Sequence, residues 1–332
     1  MSAVRRITHS VAAALDHIGL LRRHFERRGG LRILCYHGVC ADEVLGEPWV
    51  PSYFVGASNF ARQIEIIQRF AAVVPLAEAV ERAADGSGGT EGALAVTFDD
   101  APACNFVHAR HVLRAFGVRA SFFVATGHAT TGQLFVADVL RLLRCRPALG
   151  PPGNQAALAA LVRAPAKHKR MCLDELAAVL RMPEQVVRAR LDPAVREAPR
   201  PMNWSELQQL ADEGHEIGAH TVDHAILGAQ RPDVRRAQIL DSAAEIERRL
   251  GKRALGFAYP NGGPGDFGPE DYATLREAGV AYALATRAGF ADAADPLNLP
   301  RLCIGRGHTP ASFALELSGL VDRRRLRQQR WR

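Results

Sequence analysis

Ala93-Leu94-Ala95-Val96-Thr97-Phe98-Asp99-Asp100 is the stretch from which the rest of the chain is read. Ala93–Phe98 is short and apolar, and a Gly-rich loop over 85–92 precedes it, which is the pattern of a buried strand. It ends on two adjacent carboxylates. Far downstream, His220-Thr221-Val222-Asp223-His224 sets two imidazoles four residues apart, directly after a second apolar run, His215–Ala219. A fold that brings the two stretches together offers a carboxylate and two imidazoles to one divalent metal, with the other carboxylate left over as a base. That is the minimum equipment for metal-assisted hydrolysis.

Further strands are read outward from this one. Leu31–Val39 and a short Ala72–Val74 precede it; Ala120–Ala125, Ala254–Tyr259, Ala281–Ala285 and Leu297–Ile304 follow, with His215–Ala219 among them. Helical patterns fill the gaps. Ser58 can cap a helix running to Phe70, with Phe60, Ile64 and Ile67 on one face. Others end near Ala84 or span Asn105–Phe116, Ser205–Glu213, Pro232–Leu250, Pro269–Ala278 and Pro310–Leu320. Strands alternating with helices predict a parallel sheet or a (β/α) barrel. Segment 144–200, rich in Ala, Arg and Pro, breaks the rhythm with helical runs alone. It reads as a helical insertion, a lid or a partner surface. The expected organisation is a basic amphipathic helix over 1–30, a barrel domain over 31–320 that carries the insertion, and a basic tail over 321–332.

Composition sets bounds. A chain of 332 residues with 48% apolar and 23% charged residues is globular and buries a real core. Its net charge of +7 is concentrated at the ends, in Arg5, Arg6, Arg22, Arg23, Arg27, Arg28 and Arg32, and in Arg323, Arg324, Arg325, Arg327, Arg330 and Arg332. Such ends suit anionic partners, a membrane surface before nucleic acid, and peripheral membrane contact is an expectation. Nucleic acid is not expected, because no aromatic-interleaved basic groove or nucleic-acid motif accompanies the charge. Ile7, Val11, Leu15, Ile18 and Leu21 fall at helical spacing, yet Asp16 and His17 break the stretch, so no membrane span or cleavable leader is read there. The six cysteines are scattered, without a Cys-x-x-Cys pair, and read as free thiols in a reducing compartment. Cys104, five residues past Asp99, is expected to pack. These features together predict a cytoplasmic location, with the N-terminal helix packed on the domain or a partner, or alternatively resting on the inner membrane surface.

The polar residues gather where strands are expected to end, the active face of (β/α) architectures. Asp99 and Asp100, His37, His220 and His224, and Tyr259-Pro260-Asn261 each follow a strand; Arg301 lies within the last one. Singly, each has an ordinary explanation. Adjacent aspartates cap turns, a lone histidine is a hydrogen-bonded structural residue, and Tyr-Pro-Asn-Gly-Gly is a turn. A His-x3-His pair puts both rings on one helical face or side by side in a turn. The conjunction in this order is what points to a site.

At these residues the sequence resembles the polysaccharide deacetylases, also called the NodB-homology domain or carbohydrate esterase family 4. Thr97–Asp100, Ala120–Gly127, Gly214–His224, Phe257–Gly262 and Leu299-Pro300-Arg301 carry the resemblance, and Ile33-Leu34-Cys35-Tyr36-His37-Gly38-Val39 is similar to the Tyr-His strand of one branch. It covers roughly residues 31–320 apart from the insertion. The resemblance implies a distorted (β/α) barrel of the NodB-homology type and a metal bound by Asp100, His220 and His224. It also implies Asp99 as general base and the backbone N–H of Asn261 as oxyanion donor, with Tyr259 and Pro260 in substrate binding. The mixed N and O donors suit zinc first, then cobalt, nickel, manganese or iron. The implied activity is hydrolysis of N-acetyl groups from amino sugars in a surface polysaccharide or a lipid-linked glycan precursor. Deformylation of a lipid-linked amino sugar and a catalytically silent glycan-binding protein are the alternatives. The chain departs from the family pattern in three places. Ala101 stands where a Gly usually follows Asp-Asp, and Ala258 where an Arg opens Arg-Pro-Pro-Tyr. The acid histidine of the late Leu-x-His segment has only His308 as counterpart, in a poor context, so His37 competes for that role. Arg301 is the residue expected to orient Asp99.

Overall fold

In the computed structural model, residues 19–84, 92–145, 200–291 and 295–322 are described. Nearly all of the expected insertion, most of the N-terminal helix and the tail from Arg323 onward lie outside them.

The apolar runs become strands. β1 (Leu31–Tyr36) and β4 (Ala93–Phe98) are buried at every position and pair in parallel along their whole length, Leu31 against Ala93 through Tyr36 against Phe98. β5 (Ser121–Val124), β6 (Glu216–Ala219), β7 (Gly256–Ala258), β8 (Tyr282–Leu284) and β9 (Leu302–Cys303) complete a seven-stranded parallel sheet in the order β8-β7-β6-β5-β4-β1-β9. The sheet curls. Leu284 at the end of β8 bridges to Leu299, three residues before β9, so the two edges nearly meet. This is the distorted (β/α) barrel that the sequence predicts. A separate two-stranded pair, β2 (Val39–Cys40) with β3 (Val55–Gly56), caps the end of β1.

Helices cover the sheet through apolar stripes. In Ala57–Phe70, Phe60, Gln63, Ile64, Ile67 and Phe70 are buried at helical spacing. Its cap differs from the expected one. Ser58 lies inside the helix, and Asp42, at the start of the 3-10 turn Asp42–Val44, accepts both its N–H and its hydroxyl. A carboxylate at a helix N-terminus gains from the aligned peptide dipoles in a way a hydroxyl does not. The expected strand Leu297–Ile304 is also corrected. Pro296–Asn298 forms a 3-10 turn and only Leu302–Cys303 is strand, and within the expected span Pro300 has no N–H to give a ladder. Sequence reading missed the helices Thr126–Thr131 and Val136–Cys145.

Arg32 does not belong with the solvated terminal charges. It is wholly buried in β1, and its guanidinium donates to both oxygens of Asp322 at 2.7 and 2.9 Å and to the carbonyls of Gly289 and Glu316. The long aliphatic stem makes such burial feasible once the head is paired. Arg32→Ala leaves Asp322 charged and buried, and is expected to lower stability by about 3–5 kcal/mol, read as a fall in the urea midpoint.

Candidate active site

Asp100, His220 and His224 converge beyond the carboxyl ends of β4 and β6. His220 Nε2 lies 3.4 Å from Asp100 Oδ1, and His224 Nε2 lies 3.3 Å from the same oxygen. The His-x3-His segment is a turn, not a helix. Among the described residues five non-glycine residues have positive φ, namely Asp100, Ala101, Thr221, His224 and Asn261. All five belong to the loops of this site. Left-handed backbone costs an L-residue about 1–2 kcal/mol, so the strain of the molecule is collected where the side chains must be aimed. The φ of Ala101, 45°, also explains why a glycine suits that place in the family pattern.

The donor set fits a metal ion. His220 Nδ1 donates to the carbonyl of Ala258 at 2.6 Å, which leaves Nε2 of the neutral ring as a lone pair. That lone pair faces Asp100 Oδ1, which is buried and has no hydrogen-bond partner among the described residues. Acceptors facing one another repel unless a cation lies between them. An ion about 2.0–2.2 Å from tetrahedral ligands sets them about 3.3–3.6 Å apart, the spacing seen here. Burial alone would raise the Asp100 carboxyl, but when the rings carry protons in place of sharing an ion, His224 and His220 outweigh it and hold it well below the ordinary carboxylate range.

Asp99 turns the other way, into the barrel. Its carboxylate is bound end-on by Arg301, with both guanidinium nitrogens at 2.6 Å from its two oxygens, and both residues are almost fully buried. Cys303 pairs with Cys35 and Cys35 with Thr97. Arg301 therefore lies two residues below that level and Asp99 two above it, and only a side chain as long as arginine closes the gap. Arg301 Nε donates to the carbonyl of Ala285, which fixes the fork. Burial would raise Asp99, and Arg301, His220 and His37 together bring it below its usual value. Cys35, His37 and Asp99 also come within ligand distance of one another. The buried Arg301 cation already occupies Asp99, which disfavours a second cation there.

The two histidines considered for proton donation separate clearly. His37 follows β1 at the same end of the barrel, and the charges acting on it are those of Asp100, Asp99, Arg301 and His220. Burial pushes its pKa down, against the pull of the two aspartates. The ring nitrogens of His308, just before the helix Pro310–Leu317, are instead engaged with Gly305 and, at 2.9 Å, with Oε2 of Glu316 in the last turn of that helix. Asn261 is exposed on a left-handed turn three residues past the Ala258 carbonyl that His220 holds.

The family model for polysaccharide deacetylases matches residues 87–283. The chain belongs to the polysaccharide deacetylase family. Solved structures agree in fold. A Streptococcus pyogenes deacetylase, PplD, in complex with acetate superposes with a TM-score of 0.59 at 16% identity, covering 87% of this chain and 98% of that one. IcaB from Ammonifex degensii gives 0.58 at 20% identity, covering 89% and 97%. A de-N-acetylase from Aggregatibacter actinomycetemcomitans gives 0.57 at 15%, covering 86% and 99%. No curated protein matches the chain significantly. Membership makes the protein a hydrolase of carbon–nitrogen bonds other than peptide bonds, in a family of generally metal-dependent enzymes that act on glycans. The matched span holds Asp99, Asp100, His220, His224 and Asn261; His37, Arg301 and His308 lie outside it.

In this deacetylase Tyr259 is not a substrate contact, contrary to expectation. Its ring is wholly buried, stacked 3.7 Å from Phe267, and its hydroxyl donates to the carbonyl of Leu297 at 2.8 Å. A tyrosine at the end of a buried strand with its one polar atom satisfied is a core residue. Pro260 is buried too. Cys104 packs in a small core with Cys40, Trp49, Val50, Phe54 and Leu140, as expected.

Several residues of the site were missed. Phe135 sets its ring 5.2 Å from His224, Tyr53 sets its own 4.7 Å from His37, and Asp138 pairs with Arg141 beside Tyr53. Asp138 is pushed up to about 6, by burial first. Spacing of i, i+3 on a helix looks like any surface ion pair, and Tyr53 stands in an aperiodic loop. No sequence signal marks them.

Proposed function

We propose that the protein hydrolyses the N-acetyl group of an amino sugar in a glycan or glycolipid, with a divalent ion, zinc first, held by Asp100, His220 and His224. The observation that carries this reading is the orphaned Asp100 Oδ1 between two imidazole Nε2 atoms, beside a carboxylate held by Arg301. When bound, such an ion acidifies a water and polarises an acyl carbonyl. The remaining work falls to the chain. Asp99 takes a proton from the attacking water. Asp99 Oδ1 keeps a further lone pair beside the one used by Arg301, whereas Oδ2 also accepts from the Cys35 thiol, and the pair with Arg301 fixes the carboxylate in place. The backbone N–H of Asn261 donates to the acyl oxygen as charge builds on it. His37, which follows β1 at the same end of the barrel and feels both Asp100 and Asp99, gives a proton to the departing nitrogen.

The test joins metal analysis of the purified protein to a panel of N-acylated amino sugars and glycans scored for released acid. About one equivalent of metal is expected, with acetate release that a chelator stops and zinc restores. Undiminished release from metal-free protein would refute the metal assignment. Formate in place of acetate would make the protein a deformylase.

A further inference from the structure

We propose that Tyr53 is a positioning residue that fixes the His37 imidazole, and that the helix Val136–Cys145 exists at this rim to hold Tyr53 there. The inference rests on the role given to His37 above.

The backbone at His37 is pinned, but its ring is not. The carbonyl of His37 accepts from Asn105 Nδ2 at 2.6 Å, and Asn105 Oδ1 accepts from the N–H of Val39 at 2.7 Å. A working histidine ordinarily has its ring fixed by a hydrogen bond from the nitrogen that does not react. His37 Nδ1 is buried and has no such partner among the described residues. What faces the ring is Tyr53, with centroids 4.7 Å apart and planes at 52°. Van der Waals contact with a large, stiff ring is therefore the restraint on how the imidazole turns.

Tyr53 would be a poor restraint on a free loop, and its loop is clamped from both sides. Arg141 donates from Nη2 to the Tyr53 hydroxyl at 3.4 Å, and its guanidinium carbon lies 5.7 Å from the Tyr53 ring centroid. Asp138, one helical turn earlier, pairs with Arg141 and is itself buried. From the other side Arg306 donates to the carbonyls of Leu45 and Val50, and its backbone N–H donates to Ser52 O at 3.1 Å. Gly305 makes that approach possible, since a Cβ there would stand 2.8 Å from Ser52 O and 3.0 Å from Tyr53 Cα. Under the loop, Trp49, Val50 and Phe54 pack with Val139, Leu140 and Leu142 of the helix into a core of their own. A satellite core of this kind, separate from the barrel interior, serves no strand of the main sheet. At the site it places Tyr53 against His37, as Leu134 and Val136 of the same core place Phe135 against His224.

Two measurements test this, and the first needs no substrate. In protein labelled at histidine, the His37 ring resonances should be single and sharp in the wild type. They should shift or broaden in Tyr53→Ala and in Tyr53→Leu, which keeps bulk without the flat ring. Unchanged resonances in both variants overturn the proposal. The second is a kinetic cycle with His37→Ala. Tyr53→Ala should lower kcat by about tenfold or more with KM within twofold, because misplacing a reacting group costs rate and not binding. Tyr53→Phe should restore most of it. In the His37→Ala background the same change should cost almost nothing further. An equal loss in both backgrounds, or a raised KM with kcat unchanged, overturns the proposal and makes Tyr53 an independent substrate contact. If His37→Ala is impaired and Tyr53→Ala is not, only this inference fails. If His37→Ala retains full kcat, the role given to His37 fails with it.

Discussion

Asp99→Asn is expected to reduce acyl release by at least about 10²–10⁴-fold, the range supplied by a positioned proton acceptor, while metal content stays at the wild-type level. The two halves of this result come from the two directions in which the adjacent carboxylates point. Asp100 faces His220 and His224, and Asp99 faces Arg301. Asparagine keeps the shape and one acceptor but has no basic oxygen of carboxylate strength. It also leaves the Arg301 charge buried without its counter-ion, so stability should fall by up to about 3–5 kcal/mol. The sign with pH follows. Asp99 has a lowered pKa in the folded protein, so its contribution is present above the unfolded carboxylate pKa and is lost as pH falls through the folded value. Asp99→Asn should therefore narrow the gap to the wild type in acid. Metal analysis, acid release and urea unfolding at two pH values check the three parts. Full activity in the variant would remove Asp99 from the chemistry.

The second large effect is His220→Ala, expected to lose metal on dialysis and activity with it. Altering a residue that merely orients a ligand costs about 10–100-fold in metal affinity, and removing the ligand itself should exceed that. His220 also holds the carbonyl of Ala258 at 2.6 Å. Its loss strands a buried acceptor, at about 1–3 kcal/mol. His224 is more open to solvent, with 30% of its side chain exposed against 2% for His220. His224→Ala should weaken metal binding with a smaller loss of stability, because water can take its place. Isothermal titration of metal into the stripped variants gives the order directly. Equal metal affinity in His220→Ala and wild type would refute the ligand assignment.

How far the site was legible depended on whether its residues carry a local signature. Asp99-Asp100 and His220-x3-His224 do, because a metal and a base need fixed residue types at the ends of apolar strands. Arg301 was visible through its neighbours Leu299 and Pro300, though its strand was drawn too long. Tyr259 shows the opposite failure. Its place in a motif suggested contact with substrate, yet burial and a satisfied hydroxyl make it a core residue. Tyr53, Asp138 and Arg141 come from an aperiodic loop and an ordinary amphipathic helix, so nothing in their order along the chain sets them apart.

By itself, the order of residues determined the alternation of strand and helix, because period and apolarity decide what each segment can bury. It also determined which side chains must stand at the carboxyl ends of the strands. The resemblance implied which aspartate goes with the imidazoles and which with the arginine, but tertiary structure alone decided how each is aimed. That choice rests on left-handed backbone at Asp100 and Ala101, on the register that sets Arg301 four levels below Asp99, and on a hydrogen bond from His220 to a strand 38 residues away. Distances across a curled sheet are set by how layers pack, and no local pattern encodes them.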